Sequence, residues 1–149
     1  MPLRYVIDKE RRLIRTTGWD RLTFAQTKSY MDQLLNDPDF DPHFDQLVDL
    51  TALAGLGMAM EETKQIARRS GFSPTSRRAF VAPDPAVFGM SRLFEAYNEM
   101  SKAPSQIRVF HDLPSALKWL GLKDLPDGIK PEGVKAEENA DPAKNEKSA

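Results

Sequence analysis

Strand-like and helix-like hydrophobic patterns follow each other twice without a break over residues 77–122. The apolar run RRAFVA leads into the helical pattern PDPAVFGMSRLFEAYNE, and QIRVF leads into HDLPSALKWLGL. A short apolar run followed by a longer amphipathic segment is typical of βα units, whose parallel strands are buried on both faces. This part of the chain therefore predicts an α/β domain with a mainly parallel sheet.

The first half of the chain adds a hairpin and two more βα units. Two short apolar runs joined by the charged turn 8–12 predict the hairpin. The predicted strands are residues 3–7, 13–18, 46–50, 78–82 and 107–110, and the predicted helices are a segment after Thr23, residues 58–70, residues 85–101 and a segment after Asp112. The order ββαβαβαβα predicts a five-stranded mixed, mainly parallel sheet with flanking helices.

Capping signals mark two of the helix starts. Thr23 and Gln26 have the spacing of a capping box, in which each side chain accepts a hydrogen bond from the other residue's backbone. Asp112 is a predicted N-cap, and Pro114 is tolerated in the first turn that follows it. Both signals favour helices that begin directly after a strand.

Large hydrophobic residues recur every three or four positions along the third predicted helix. This spacing predicts the face that packs on the sheet. The residues are Phe88, Leu93, Phe94, Tyr97 and Met100. Phe88 and Met90 lie near the helix start, beside the strand ends, so they are the members of this helix that we expect to face a pocket.

Composition narrows the functional classes. The 149 residues lack Cys, which excludes disulfides, a thiolate nucleophile and Cys-ligated metals. The formal net charge of −1 gives no general attraction to nucleic acid. No segment is apolar and long enough for a signal peptide or a transmembrane helix, so we expect a cytoplasmic protein. No motif indicates a cofactor or a metal.

The chain divides after Leu122. Residues 1–122 form the predicted α/β domain, whereas residues 123–149 carry mostly Lys, Glu, Asp, Pro and Ala. Such a segment buries too little apolar surface to offset a backbone entropy cost of roughly 1–2 kcal/mol per residue. The sequence therefore predicts a disordered charged tail.

The segment AGLGMAM (residues 54–60) is the first candidate binding element. Residues 51–57 are predicted as a loop at the carboxyl end of the third strand, where ligands of open α/β sheets usually bind. Its glycines favour mobility, and its Leu and Met side chains offer adaptable apolar surface. The segment is either a movable lip over an apolar ligand or membrane surface, or simply packing beneath the next helix. The candidate ligand-binding residues are Thr51, Leu56, Met58, Met60, Phe88, Met90 and His111.

Four arginines make a second candidate site. Arg68, Arg69, Arg77 and Arg78 surround a loop rich in Ser and Thr. Guanidinium groups could hold a phosphate or a carboxylate through bidentate hydrogen bonds. The alternative is a solvated loop that only keeps the protein in solution.

Catalytic signatures are missing from the sequence. There is no G-x-S-x-G motif, no Walker glycine loop and no dinucleotide fingerprint. His43 and His111 are far apart in sequence and lack metal-ligand spacing. Asp49 and His111 could meet at the carboxyl edge of the sheet, but such a pair without a nucleophile is not a mechanism. We therefore do not expect an enzyme.

Four segments, in this order, resemble the SpoIIAA-like branch of the STAS-like fold. They are LVDLTAL (residues 47–53), RRAFVA (77–82), FGMSRLFEAY (88–97) and VFHDLPSALKWL (109–120). This branch consists of small bacterial proteins named for an anti-sigma-factor antagonist and also likened to the CRAL-TRIO lipid-binding fold. The resemblance covers nearly all of residues 1–122. It implies the fold, and many members of the branch have no assigned activity.

The sequence departs from the family at the regulatory position. An anti-sigma-factor antagonist carries a phosphorylatable Ser in an Asp-Ser-Ser-Gly-like turn at the start of the helix after its third strand. Here the corresponding segment is DLTALAGLGMAM (residues 49–60), in which Thr51 is the sole hydroxyl. The resemblance therefore does not imply a phosphoswitch.

Three functional hypotheses remain at this point. The leading one is a non-enzymatic SpoIIAA-like binding module that holds an apolar or lipid-like small molecule, or contacts a membrane surface peripherally, at the carboxyl edge of the sheet. The alternative is a regulator that binds a protein partner or a second copy of the chain. The third is an enzyme that uses His111 and Asp49.

Overall fold

The computed structural model describes residues 2–69 and 71–123, and its element order confirms the predicted ββαβαβαβα. The predicted disordered tail, apart from Lys123, lies outside the described residues. The elements are β1 (Leu3–Asp8), β2 (Leu13–Thr23), α1 (Phe24–Leu35), β3 (Asp45–Gly57), α2 (Met60–Arg68), β4 (Arg77–Val81), α3 (Pro85–Glu99), β5 (Gln106–Phe110) and α4 (Leu113–Leu120).

The strands form one mixed sheet in the spatial order β1-β2-β3-β4-β5. β1 and β2 are antiparallel, and every other neighbouring pair is parallel. Since crossovers between parallel strands are right-handed, the three helices that join β2 to β5 lie on the same face of the sheet. α4 follows the last strand and packs on the opposite face.

Each face of the sheet has its own core, because strand residues alternate between the faces. The first core lies beneath α1, α2 and α3, and its buried members include Leu3, Ile14, Tyr30, Leu34, Val48, Leu53 and Val87. The second core lies beneath α4 and contains Leu13, Leu47, Ala79, Val81, Ala116, Leu117 and Leu120.

The predicted loop over residues 51–57 is wrong, because β3 continues through it to Gly57. The partner strand β2 also continues beyond its predicted end, to Thr23, and pairs Leu22 with Leu56 after two register shifts. The glycines that suggested mobility instead accommodate a side chain. A Cβ at Gly55 would lie 3.0 Å from Nη1 of Arg21, and one at Gly57 would lie 3.3 Å from its Nε.

The packing face of α3 agrees with the predicted one only in part, because Phe88 packs against the first core and Phe94 packs on the ring of Phe80, but other predicted positions are more exposed. Val87, Ser91 and Asn98 are its buried residues, whereas the side chain of Met100 is 76% exposed. The remaining predicted residues, Phe88, Leu93, Phe94 and Tyr97, are half-buried. The hydrophobic pattern was misleading because two of the buried positions are polar. Asn98 fits there because its Nδ2 donates to the backbone oxygen of Ser105 at 2.8 Å.

The predicted capping signals are confirmed. Thr23 and Gln26 form the capping box of α1, and Oδ1 of Asp112 accepts the Ser115 amide at 2.8 Å. α2 begins at Met60 rather than at residue 58. Its first turn is held by the Glu62 side chain, which accepts the Ala59 amide at 2.9 Å.

Candidate functional site

A pocket with a cavity volume of about 100 Å³ lies between the sheet and the three helices on its first face. Its lining combines one long apolar wall with a small polar group. The apolar lining residues are Leu3, Leu22, Met31, Val48, Leu50, Leu56, Met58, Ile66, Phe80, Met90 and Phe94. The polar lining residues are Thr16, Thr27, Tyr30, Gln46, Thr63, Arg78 and Ser91.

The pocket exists because each of the three helices turns a small residue toward the sheet. Thr27 of α1, Thr63 of α2 and Ser91 of α3 are all buried and all line the cavity. The Thr27 hydroxyl donates to the Thr23 carbonyl at 2.8 Å, and the Thr63 hydroxyl donates to the Ala59 carbonyl at 3.1 Å. These two hydroxyls are therefore satisfied within their own helices, and the space left by the short side chains remains open.

A hydrogen-bonded cluster crosses the sheet beneath α1. Nε2 of Gln46 donates to Oγ1 of Thr16 at 3.1 Å and to the hydroxyl of Tyr30 at 3.0 Å. The Thr16 and Tyr30 hydroxyls also hydrogen-bond to each other. Burial raises the pKa of Tyr30 to about 12, so its phenol is neutral at physiological pH.

Among the described residues that line the pocket, Arg78 is the only cationic one. Its Nε donates to Oε1 of Gln46 at 2.9 Å, and its Nη1 donates to Oγ of Ser105 at 3.3 Å. Its guanidinium carbon lies 4.1 Å from the centre of the Phe72 ring and 5.8 Å from that of Phe94. Burial lowers the pKa of Arg78 to about 10, which leaves the group protonated at neutral pH.

The charge of Arg78 has no acidic partner among the described residues. No Asp or Glu lines the pocket, and Arg78 takes part in none of the ion pairs found between the described residues. The aromatic rings compensate the charge in part through their quadrupoles. The pocket therefore combines apolar walls with one uncompensated positive charge.

Four of the predicted site residues meet in this pocket. Leu56, Met58 and Met90 form part of its apolar wall, and Arg78 forms its charged end. Leu56, Met58 and Met90 lie near the starts of α2 and α3, at the carboxyl edge where the sequence predicts the site. Arg78 and Gln46 are each the second residue of their strands, so the pocket runs from that edge along the face of the sheet.

The other predicted ligand-binding residues lie elsewhere. Thr51 is exposed on β3, and Met60 is 61% exposed at the start of α2. His111 is exposed and stacks on the ring of Phe88, with the ring centres 4.0 Å apart. Asp49 is buried and accepts the Thr51 amide at 2.9 Å. None of these residues lines the pocket.

The predicted arginine cluster is divided among different surroundings. Arg69 forms an ion pair with Asp32, with a nitrogen–oxygen distance of 2.7 Å. Arg77 donates to the backbone oxygen of Trp119 at 2.8 Å, on the face that carries α4. Arg68 is exposed. Arg78 is thus separated from the other three and faces the pocket alone.

Sequence reasoning missed Thr16, Tyr30 and Gln46. The signal was weak, because Thr16 and Gln46 lie in strands that also hold other polar residues, such as Arg15 and Asp49. A buried polar side chain requires hydrogen-bond partners, so two such residues on neighbouring strands indicate a shared network. The third member, Tyr30, could not be assigned without knowing how α1 is rotated.

Two negative findings concern the described residues alone. No group of three or more His, Cys, Asp or Glu side chains within residues 2–69 and 71–123 could hold a metal ion. No helix in the same ranges combines the length and the apolar character needed to cross a membrane.

A search of solved structures finds a similar protein from Shewanella loihica PV-4. It is an uncharacterised protein of the DUF3478 family, described as having a SpoIIAA-like fold. The two chains superpose with a TM-score of 0.52 and 19% identity, over 79% of this chain and 93% of that one. This chain has a SpoIIAA-like fold. A scan against protein-family models finds no match, and neither does a search of curated proteins.

The resemblance described above places the phosphorylatable serine of an anti-sigma-factor antagonist at the start of the helix after the third strand. Here that helix begins at Met60 after the cap residue Ala59, and neither residue has a hydroxyl. Thr51 lies within β3, nine positions before the helix. The hydroxyl of Thr63, in the first turn, is already donated to Ala59. Among the described residues at the start of α2, no free hydroxyl occupies the position of that serine.

Proposed function

We propose that the protein is a non-enzymatic binding module that holds an amphipathic small molecule in the pocket between the sheet and α1, α2 and α3. The observation that carries this proposal is the guanidinium of Arg78, which has no acidic partner among the described residues, at one end of a mostly apolar cavity. Binding pockets for small molecules typically combine apolar walls with a few polar groups that fix the ligand's orientation.

A purely structural role explains the pocket less well. Burial lowers the pKa of Arg78, so keeping the charge in the folded protein has an energetic cost. A hydrophobic side chain of similar volume would avoid that cost. Small residues on three helices likewise leave space that larger side chains would fill with a gain in stability. Both features reduce the stability of the empty protein and suit a protein that binds a ligand.

The lining chemistry favours binding over catalysis. The groups that most often transfer protons in enzymes are His, Asp and Glu side chains. None of them lines this pocket within the described residues, and Tyr30 is held neutral by burial. The Ser91 hydroxyl has no hydrogen-bond partner among the described residues and has no base beside it to activate it as a nucleophile. The lining can bind and orient a ligand.

Native mass spectrometry of protein purified gently from its own host tests this proposal. We expect an added mass of a few hundred daltons or less, released by organic solvent. A bare chain that also fails to bind added small amphiphiles would contradict the proposal. A chain held to another polypeptide would instead support a regulator that acts through a protein partner.

The variant Ser91→Leu should separate binding from folding. A leucine side chain at this position would occupy the cavity, so we expect the retained ligand to be lost while the free energy of unfolding changes by no more than about 1 kcal/mol. Ala96→Leu is the matched control, because residue 96 is exposed on the same helix. If Ser91→Leu kept the ligand, the binding site would lie elsewhere.

A further inference from the structure

We infer that the ligand is a monocarboxylate with a compact apolar tail, whose carboxylate pairs with Arg78 and whose tail lies along the wall formed by Leu50, Leu56 and Met58. This inference rests on the proposed function and names the class of ligand. It is drawn from the charge balance of the pocket, the hydrogen-bonding state of the guanidinium and the cavity volume.

The charge balance of the pocket favours an anionic ligand. The described residues that line the pocket contribute one positive charge from Arg78 and no negative charge. Tyr30 does not supply the missing anion, because its pKa is raised to about 12. Arg78 is half-buried, and a partly desolvated charge is stabilised by an opposite charge placed beside it. A ligand with a single negative charge would complete the pair, whereas a phosphate monoester would leave a second negative charge uncompensated among apolar side chains.

The guanidinium is held in place and keeps donors available. Gln46 and Ser105 accept from Nε and Nη1 of Arg78, and the Phe72 ring packs 4.1 Å from the guanidinium carbon. Nη2 makes no hydrogen bond to any described residue. Because Arg has five N–H donors in a planar fork, donors remain on Nη1 and Nη2 for a carboxylate. The orientation is fixed before the ligand arrives, which reduces the entropy lost on binding.

A residue of α3 also helps to hold the guanidinium of Arg78 in place. Asn98 donates to the backbone oxygen of Ser105 at 2.8 Å, and the Ser105 hydroxyl in turn accepts from Nη1 of Arg78 at 3.3 Å. Asn98 and Ser105 are both buried. The helix that forms one wall of the pocket therefore also holds the residue that orients its charge.

The cavity volume limits the apolar tail. A volume of about 100 Å³ is of the same order as the engineered cavity of about 150 Å³ that binds benzene. A tail of roughly six carbon atoms is therefore the size that fits. The methionines of the wall are flexible and can adapt to tails of different shape.

Isothermal titration calorimetry with two probes of six carbon atoms each tests the inference. Hexanoate carries the carboxylate, and 1-hexanol carries a neutral hydroxyl in its place. We expect hexanoate to bind the native protein about 10- to 100-fold more tightly, because a charge-assisted hydrogen bond is stronger than a neutral one. Hexyl phosphate should bind more weakly than hexanoate at a pH where it carries two charges.

Two substitutions on β4 test whether the tighter binding of hexanoate depends on Arg78. Arg78→Met keeps a similar side-chain volume and should lower hexanoate affinity to that of 1-hexanol or below it, because the carboxylate then has no charge partner. Arg77→Met is the matched control, since Arg77 is the preceding residue and lies on the opposite face of the sheet. It should leave both affinities unchanged. Circular dichroism shows whether each variant is folded, and the comparison of probes on the native protein holds even if Arg78→Met does not fold.

The results distinguish a failure of the monocarboxylate assignment from a failure of the proposed binding function. Equal binding of hexanoate and 1-hexanol in the pocket would overturn the monocarboxylate assignment and leave the binding module intact. Tighter binding of hexyl phosphate would also overturn it and identify a dianionic headgroup. If no probe binds at millimolar concentration and the protein from its host carries no ligand, both proposals fail together.

Discussion

Leu47→Ala is expected to lower the free energy of unfolding by about 3 to 4 kcal/mol. Leu47 is fully buried on the central strand β3, with 0% exposure, and belongs to the core beneath α4. Removing its side chain loses the transfer free energy of the deleted carbons and leaves a cavity that the sheet cannot close. Chemical denaturation monitored by circular dichroism measures the loss.

Val6→Ala is the control for this prediction. Val6 also lies on a strand, but its side chain is 39% exposed, so we expect a loss of less than about 1 kcal/mol. If Leu47→Ala cost no more than Val6→Ala, the second face of the sheet would not be a packed core, and the position of α4 in this fold would be contradicted.

Met58→Asp is expected to weaken hexanoate binding by about 100-fold while leaving stability nearly unchanged. Met58 lines the pocket from the short connection between β3 and α2, and it is half-buried. A carboxylate there places a charge beside the apolar tail of the ligand, where its desolvation is unfavourable. Since Met58 belongs to neither a helix nor a strand, the scaffold loses little.

Met60→Asp provides the matched control, two residues away. Met60 is 61% exposed and does not line the pocket. As the first residue of α2, it is also a favourable position for an acidic side chain, because the helix dipole stabilises negative charge there. Binding should be unchanged. A large loss of melting temperature in Met58→Asp would instead identify Met58 as part of the core.

The fold could be predicted from the sequence because local signals agree with the global arrangement. Apolar runs such as QIRVF have the composition of buried strands, and the caps Thr23 and Asp112 place helix starts directly after strands. The predicted secondary structure was wrong where the side chain of another element determines the local structure. Gly55 and Gly57 indicate a loop when considered alone, but they make room for Arg21 in a strand.

The candidate site was predictable only in part. The wall residues Leu56, Met58 and Met90 could be found because they flank the predicted strand ends and helix starts. The role of Arg78 could not be separated from that of Arg77, since adjacent strand residues point to opposite faces and the sequence does not say which face carries the helices. The cavity itself depends on Thr27, Thr63 and Ser91 meeting from three helices, which is a property of the packing.

Methyl NMR of the methionines tests the central claim most directly, because the chain carries its own controls. Met31, Met58 and Met90 line the pocket, whereas Met60 and Met100 are exposed on the surface. On titration with hexanoate, the three pocket methyl signals should shift together along one binding curve, and the two surface signals should stay in place. Shifts confined to Met60 or Met100, or no shift at saturating hexanoate, would contradict the account of the pocket as the binding site.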